Sequence, residues 1–421
     1  MDDRQLSVRL YGKHIGILSQ DQSGRMGFKY ASSAQVPLTL SMPLTEQTYD
    51  HAVCEAYFGG LLPEGESARL AIGKSFGVNS KNTFSLLKVI GHDCAGAVSL
   101  HGLEEPETET DLIPLKGRVL KEKDLAIHIR ELPKKPLFIG VDGLRLSLAG
   151  AQDKAAICII EGQVALPKDG SPTTHILKPA IELLESTVQN EYLCLRIAKR
   201  MGFNVPHVEM RRADGVPYLL IERYDREIIG DSLKRIHQED FCQALGIITA
   251  YKYQIEGGPG FKQCFELLKQ TSQPAKARTR LAEIAIFNYL VGNTDSHGKN
   301  FSLLYKASGG VTLAPFYDIL CTQAYPRLTK RMAMEIGDEY QISNIRVEHW
   351  KKFSKTIGFT YPRIKNIIHN QLEILSEIAE EEREKLKDNS FDTRIADIML
   401  NFFQKQTYVT AKRLGISSND A

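Results

Sequence analysis

The spacing of apolar and polar positions changes character along this chain. Over residues 1–100, short alternating runs (LSVRLYG, HIGILSQ, MGFKYA) are separated by turn residues, which predicts strands with one buried face. A helical stretch is expected at Tyr49–Leu62. Residues 102–118, GLEEPETETDLIPLKGR, are acidic, contain proline and hold few large apolar residues, so they read as an exposed connection. Residues 137–225 read as a small mixed unit, in which the small-residue loop Ser147-Leu148-Ala149-Gly150-Ala151-Gln152 leads into the strand-like AAICII. HILKPA follows as a second strand, and STVQNEYLCLRIAKRMGF as a helix with Val188, Tyr192, Leu195 and Ala198 on one face and Gly202 as its stop. YLLIERYDR is a strand running into polar residues. From HQEDFCQALG (237–246) onward apolar residues recur every three or four positions, which predicts a mostly helical remainder. Within it, LAEIAIFNYLVG (281–292) is nearly all apolar and reads as a buried helix. FSLLY and VTLAPF read as short strands turning through KASGG, and 370–388 reads as a charged helix with a solvated face.

Composition adds limits. A chain of 421 residues, 43% hydrophobic and 25% charged, is ordinary for a globular protein with two or three structural units. A formal charge of +2 does not mark a nucleic-acid or membrane binder, and the basic groups at Arg327, Lys330, Arg331, Lys351 and Lys352 read as surface charge. The seven cysteines are scattered without a C-x-x-C pair, so they read as reduced, buried thiols, and a zinc site is not expected. MDDRQLSVRL has no apolar core of a signal peptide, and no run of 18 apolar residues exists, so a soluble, cytoplasmic protein is expected.

The chemistry concentrates in Gly292–Asp318. Asp295, His297, Lys299 and Asn300 fall within six positions, and Asp318 follows after the two expected strands and their glycine-rich turn. On a helix, Asp295 and Asn300 would point roughly 140° apart, so they can share a ligand only in an irregular loop, which Gly292, Asn293 and Gly298 favour. A hairpin centred near Ser308–Gly309 would return position 317 or 318 beside position 300. Two hard oxygen ligands suit Mg²⁺, and a nearby carboxylate can accept a proton. An Asp, an Asn five residues on, and a second Asp delivered by a hairpin is what a protein-kinase site needs. The usual His-Arg before the first Asp is Asn293-Thr294 here, and Asp-Phe-Gly is Asp318-Ile319-Leu320, so this is no ordinary eukaryotic-type kinase. Any one of these residues alone reads as a solvated loop residue; the set together reads as a site.

The rest of a kinase site has candidates upstream. The Ser147–Gln152 loop has residues small enough for backbone N–H groups to approach a phosphate. Lys178, inside an apolar strand, is either an edge-strand gatekeeper or a phosphate-binding lysine. Glu191 is its candidate partner, with Glu185 as the alternative, and the backbone near Glu222 and Tyr224 forms a natural hinge for reading an adenine edge. Gly60-x₄-Gly65-Glu66-Ser67 imitates a phosphate-binding P-loop, but Glu66 in the lysine position would repel phosphate.

With these residues in hand, the chain resembles the HipA family of bacterial serine/threonine kinase toxins. FGGLLPEGES, SLAGAQDK, HILKP, NEYLCLRIAKRMG, LIERYDR, HQEDFCQALG, NTDSHGKNFSLL and FYDIL follow that family's order of motifs over nearly the whole length. The resemblance implies an α+β, two-lobed protein-kinase-like fold: an N-terminal β-rich subdomain (1–101), a linker (102–118), a mixed small lobe (119–225) and a mostly helical large lobe (226–421). It implies ATP and Mg²⁺, with Asp295 and Lys178 catalytic and Asn300 and Asp318 as metal ligands. Ala149, Gly150, Ala151, Gln152, Lys154, Lys178, Glu222, Tyr224, Gln238, His297 and Lys299 would form the nucleotide site. Ser147 matches the family's autophosphorylated serine, whose modification ejects the loop. The implied partners are a HipB-like helix-turn-helix antitoxin, DNA mainly through that antitoxin, and a protein substrate such as an aminoacyl-tRNA synthetase; no membrane is implied. Two other readings stand beside the toxin kinase. One is a non-catalytic ATP-binding module that supports operon repression. The other, a metal-dependent phosphoester hydrolase, is disfavoured because further His or Asp ligands at two-metal spacing are scarce.

Overall fold

The computed structural model describes residues 4–107, 112–138, 147–150, 152–168, 170–306 and 309–416. The chain divides into two compact units that interleave along the sequence. The first holds Met1–Pro179, Arg211–Ala250 and Ser302–Gly310; the second holds Ala180–Met210, Tyr251–Phe301 and Val311–Ala421.

The alternating N-terminal runs form β1 (Gln5–Leu10), β2 (Lys13–Gln20) and β3 (Met26–Tyr30), an antiparallel meander that β4 (Val98–His101) joins beside β1. The helices α1 (His51–Phe58), α2 (Glu66–Phe76) and α3 (Thr83–Ile90) follow. Asp50 and Asn82 start α1 and α3 by accepting the Val53 and Ser85 N–H groups at 3.1 and 2.8 Å, which satisfies donors a helix start leaves open. The acidic connection is exposed through Leu103–Glu107, but its far end forms two short strands, β5 (Leu112–Pro114) and β6 (Gly117–Val119). Each pairs at a sheet edge, where three residues suffice and leave little alternating pattern to read.

Beyond α4 (Glu122–Glu131), β7 (Ala155–Ile160), β8 (Gln163–Pro167) and β9 (His175–Pro179) build the second sheet. The chain leaves for the second unit through α5 (Thr187–Arg200) and returns along β10 (Val208–Ala213) into β11 (Val216–Glu222), which pairs with β9. One continuous apolar cluster runs from Leu6, Val8 and Phe28 through Tyr57 and Leu62 to Ile157, Leu177 and Leu220. The N-terminal subdomain and the second sheet therefore share a core, and burying that apolar surface is the main force joining them. β12 (Arg226–Ile229) and β13 (Ser232–Arg235) form a hairpin that receives β5, and β14 (Gln238–Asp240) runs into α6 (Phe241–Leu245). These strands correct the helical expectation after residue 226; Gly230-Asp231 between β12 and β13 is a turn signal the apolar spacing obscures.

The second unit is mostly helical, as expected. α7 (Phe261–Leu267) precedes α8 (Pro274–Val291), whose residues 284–291 are all buried. The two expected strands form as β15 (Ser302–Tyr305), paired with β14 in the first unit, and β16 (Val311–Leu313) in the second. The Lys306 N–H donates to Gly310 O at 3.0 Å across the turn, whose predicted centre at Ser308 lies outside the described residues. β17 (Arg331–Ile336) and β18 (Glu339–Gln341) were not expected; they turn through Gly337 and Asp338, both at positive φ (59° and 70°), a hairpin turn with its own glycine signal. α9 (Val347–Thr356), α10 (Tyr361–Asp388) and α11 (Arg394–Leu414) complete the unit. The charged helix α10 exposes much of its surface but buries Ile364, Ile368, Leu375 and Glu382, the last paired with Arg196 at 3.1 Å. All seven cysteines are free and buried. Among the described residues no helix is long and apolar enough to cross a membrane.

Glu239 on β14 ties the first unit together. Its buried carboxylate accepts hydrogen bonds from the Thr39 and Tyr305 hydroxyls and from the Leu40 N–H at 3.1 Å. Burial outweighs these bonds and raises its carboxyl to about 7. A group raised in the folded state stabilises fully below its unfolded value near 4.5 and loses that contribution as pH rises through the folded value. Glu239 should therefore remove roughly 3 kcal/mol of stability between pH 4.5 and pH 8. Urea melts across that range should show this loss, and Glu239→Gln, which keeps the shape without the charge, should flatten it.

Candidate active site

The helix α8 ends at Gly292 in the left-handed conformation, and the chain then leaves helical geometry. Asn288 holds the loop from inside: its main-chain oxygen accepts the Asn293 N–H at 2.9 Å, and its side chain bonds Asn293 and Ser296 at 2.9 and 2.8 Å. Thr322 Oγ1 meets Thr294 Oγ1 at 2.7 Å and donates to Gly292 O at 2.8 Å, which fixes the loop from a second side. This scaffold presents Asp295 as an exposed side chain between buried neighbours, the disposition of a residue meant to meet a ligand. Asn300, in a single 3₁₀ turn Gly298–Asn300, donates its amide to the Asp295 main-chain oxygen at 3.1 Å. That bond uses the donor end of the amide and leaves its oxygen as the ligand-type atom.

Asp318 is half-buried, and its φ of 59° lies in the left-handed region that few residues other than glycine, Asn and Asp enter. The preceding Tyr317 hydroxyl donates to Lys299 O at 2.7 Å, so one hydrogen bond joins the neighbours of Asp318 and Asn300. The donor set, one amide oxygen and one carboxylate, fits a hard divalent ion. His297 and Lys299 are buried in the same loop, and the His297 ring meets Tyr253 edge-on at 5.2 Å. Sequence reasoning missed Tyr253. Its hydroxyl donates to Asp295 Oδ1 at 2.7 Å, and the adjacent Lys252 main-chain oxygen accepts the Gly298 N–H at 3.3 Å. TAYKYQIEGG has no periodicity or motif that would single it out.

In the first unit, Lys178 lies on β9 between β11 and β7 and is buried, so the edge-gatekeeper reading is excluded. Of its two candidate partners, Glu191 is buried on α5, whereas Glu185 is exposed and pairs with Arg394 at 2.8 Å. The small-residue loop is held by the segment that imitates a P-loop. The Ser147 side chain is fully buried, with its hydroxyl donating to Leu61 O at 2.6 Å and its N–H to Asp93 O at 2.9 Å. The Glu64 N–H donates to Gly150 O at 3.2 Å, and Pro63 bridges Gly150 in parallel. Gly150 has φ 111°, and a Cβ there would lie 2.2 Å from Lys154 Nζ, which itself donates to Ala149 O. Gln152 Nε2 donates to Pro179 O at 3.3 Å; Ala151 lies outside the described residues.

Glu222 ends β11 as an exposed residue, and Tyr224 donates its hydroxyl to Gln238 Oε1. Both flank a buried charge cluster. Arg223 bonds Asp225 through Nε and Nη2 at 3.0 and 2.8 Å, and Arg226 Nη2 bonds Asp93 at 2.7 Å. Arg235 reaches Asp93 at 3.2 Å, and Gln238 Nε2 reaches Asp225 at 3.3 Å. Burial alone would raise both carboxyls, but the surrounding guanidinium groups hold Asp93 and Asp225 well below the ordinary range. Burial, with Arg223 beside it, pushes Arg226 down to about 10.

Known proteins share this organisation. The HipA N-terminal domain family matches residues 6–101, and the HipA-like C-terminal domain family matches residues 146–379. Y4mE of Sinorhizobium fredii, which bears a provisional kinase name, is 41% identical over 94% of this chain and 97% of its own. The serine/threonine-protein kinase toxin HipA of Shewanella oneidensis is 31% identical over 76% of this chain and 75% of its own. The chain belongs to the HipA family of serine/threonine kinase toxins. The expected fold class holds for this HipA-family chain. The Shewanella oneidensis HipA solved with HipB and operator DNA matches it with a TM-score of 0.84 and 26% identity, over 97% of this chain and 98% of that one. Kinase chemistry in the family entails ATP and a metal.

The charge cluster is the part of this framework most exposed to a single change. Asp225→Asn leaves Arg223 and Arg226 buried with one carboxylate fewer, and should cost about 3–5 kcal/mol of folding stability in a urea melt.

Proposed function

We propose that this HipA-family enzyme is an ATP- and Mg²⁺-dependent serine/threonine protein kinase, the toxin of a toxin–antitoxin pair, which also phosphorylates its own Ser147. The observation that carries the reading is the loop after α8, where Asp295 is exposed on a rigid frame with Asn300 bonded to its main chain. Asn300 and Asp318 would hold Mg²⁺, which when bound neutralises charge on the phosphate oxygens. Lys178, with the backbone of Ala149–Gln152, Lys154 and Lys299, binds phosphate; Glu222, Tyr224, Gln238 and His297 place the nucleoside. Asp295 orients the acceptor hydroxyl and takes its proton as the oxygen bonds to the γ-phosphorus and ADP departs. The Tyr253 hydrogen bond fixes one oxygen of that carboxylate.

Ser147 supports a self-limiting enzyme. Its side chain is wholly buried with the hydroxyl against Leu61 O, so a phosphate of roughly −2 there would have to leave the interior and would force the loop out. The Shewanella oneidensis HipA solved with HipB and operator DNA supports a HipB-like partner and an association with DNA. The proposed substrate is a component of translation such as an aminoacyl-tRNA synthetase.

Incubating the purified protein with Mg²⁺ and γ-labelled ATP should place label on Ser147, mapped by mass spectrometry. Asp295→Asn should abolish labelling while ATP affinity is retained. A protein that starts unphosphorylated, binds ATP and takes no label would instead support the non-catalytic module. Tyr253→Phe should lower kcat about tenfold with little change in KM, the scale of one hydrogen bond to a charged group.

A further inference from the structure

A second cluster of ligand-type side chains lies in the N-terminal subdomain, and no step of phosphoryl transfer uses it. His92 follows α3, His101 ends β4, and Glu105 stands in the turn after β4. The two imidazole rings stack with centroids 4.7 Å apart and planes 11° from parallel. His101 Nδ1 lies 3.0 Å from one Glu105 carboxylate oxygen, and His92 Nε2 lies 3.6 Å from the other. One ligand atom from each of the three residues falls within 4.8 Å of the other two.

We propose that His92, His101 and Glu105 form a binding site for a divalent d-block cation of the Zn²⁺ type. The geometry carries this. One ligand atom of each residue already lies within 4.8 Å of the other two, and rotating the rings out of their stack would close the three onto a tetrahedral ion with N and O ligands at about 2.0–2.2 Å. The side chains are 25%, 19% and 43% exposed, which leaves the fourth position open to water and gives an ion a way in.

The surroundings orient these groups as metal sites require. Ser99 Oγ lies 3.0 Å from His101 Nε2, so the ring's outer nitrogen is engaged and Nδ1 faces the carboxylate. The Gly102 N–H donates to Glu105 Oε1 at 2.9 Å. Arg9 donates to the main-chain oxygens of Glu105 and Pro106, which fixes the turn carrying the glutamate. The Arg9 guanidinium opposes a cation here, and the Glu105 carboxylate offsets it. Two imidazoles and one carboxylate favour Zn²⁺, Co²⁺ or Ni²⁺ over Mg²⁺, so this site is chemically distinct from the kinase metal site. Cysteine spacing gave no reason to expect zinc; the fold assembles its candidate from histidines nine residues apart and a turn glutamate. A bound ion would clip the start of the 102–118 connection onto the loop after α3.

The test uses the full-length protein stripped with EDTA and then kept in excess Mg²⁺. Titration with Co²⁺, followed by its visible d–d absorption, should show one bound equivalent that Zn²⁺ displaces. Zn²⁺ should also raise the thermal midpoint. His101→Ala and Glu105→Gln should lose that equivalent and the thermal shift, and Ser99→Ala should keep it with about 10–100-fold weaker affinity. Should His101→Ala fail to fold, Glu105→Gln decides, since its amide oxygen can still accept the Gly102 N–H. The proposal is overturned if the parent protein takes up neither ion under Mg²⁺, leaving only a hydrogen-bonded clasp. Equal binding by Glu105→Gln also overturns it. None of these readings depends on kinase activity.

Discussion

Five buried charges, Asp93, Arg223, Asp225, Arg226 and Arg235, hold the first unit's small-residue loop and the end of β11 in place. Removing such groups from water is costly, and the cost is offset only when every charge has partners at hydrogen-bond distance. Here those partners come from distant parts of the chain. Asp93 lies after α3, its side chain takes the Thr173 hydroxyl at 2.9 Å, and its main-chain oxygen takes the Ser147 N–H at 2.9 Å. Asp225 takes the Gly96 N–H at 2.7 Å and the Gln238 amide at 3.3 Å. The loop of Ser147 and the Tyr224–Gln238 pair thus depend on one electrostatic knot, which a core of aliphatic residues would not orient so specifically.

What the sequence reveals of this follows from how local each signal is. The loop after α8 was legible because Asp295, Asn300 and the strand that follows lie within eleven positions, next to a helix whose apolar content announces its burial. Lys178 was half legible: its apolar flanks mark a strand, but only the pairing of β9 on both sides shows that the strand is interior. The charge knot was invisible, since Arg223 and Asp225 read as polar residues closing a strand, and their distant partners stand at Asp93 and Gly96. Tyr253 was missed for the same reason, being 42 residues from the carboxylate it bonds. The hairpin of β17 and β18 was missed differently: Gly337-Asp338 is a readable turn, overlooked because neighbouring helices dominate the pattern.

The segment around Gly60 and Gly65 shows how a false motif can still have a purpose. Its glycines do not cradle a phosphate. The backbone from Leu61 to Glu64 runs alongside Ser147 and Gly150, so that the N-terminal subdomain restrains the small-residue loop directly. Coupling between a loop and a neighbouring subdomain needs such a discrete, breakable set of bonds. Three hydrogen-bonded contacts, at Leu61, Asp93 and Glu64, provide it.

The interleaving of the two units bears on how the chain folds during its own synthesis. The first unit includes β15, which pairs with β14 and sends Tyr305 to the Glu239 carboxylate. Those residues leave the ribosome only after α8 and the loop that follows it have been made. The N-terminal sheet can form early from local pairings, but the unit it belongs to stays without its last strand until about three quarters of the polypeptide has emerged. A chain assembled in this order completes its first unit late, after much of the second unit has already been made.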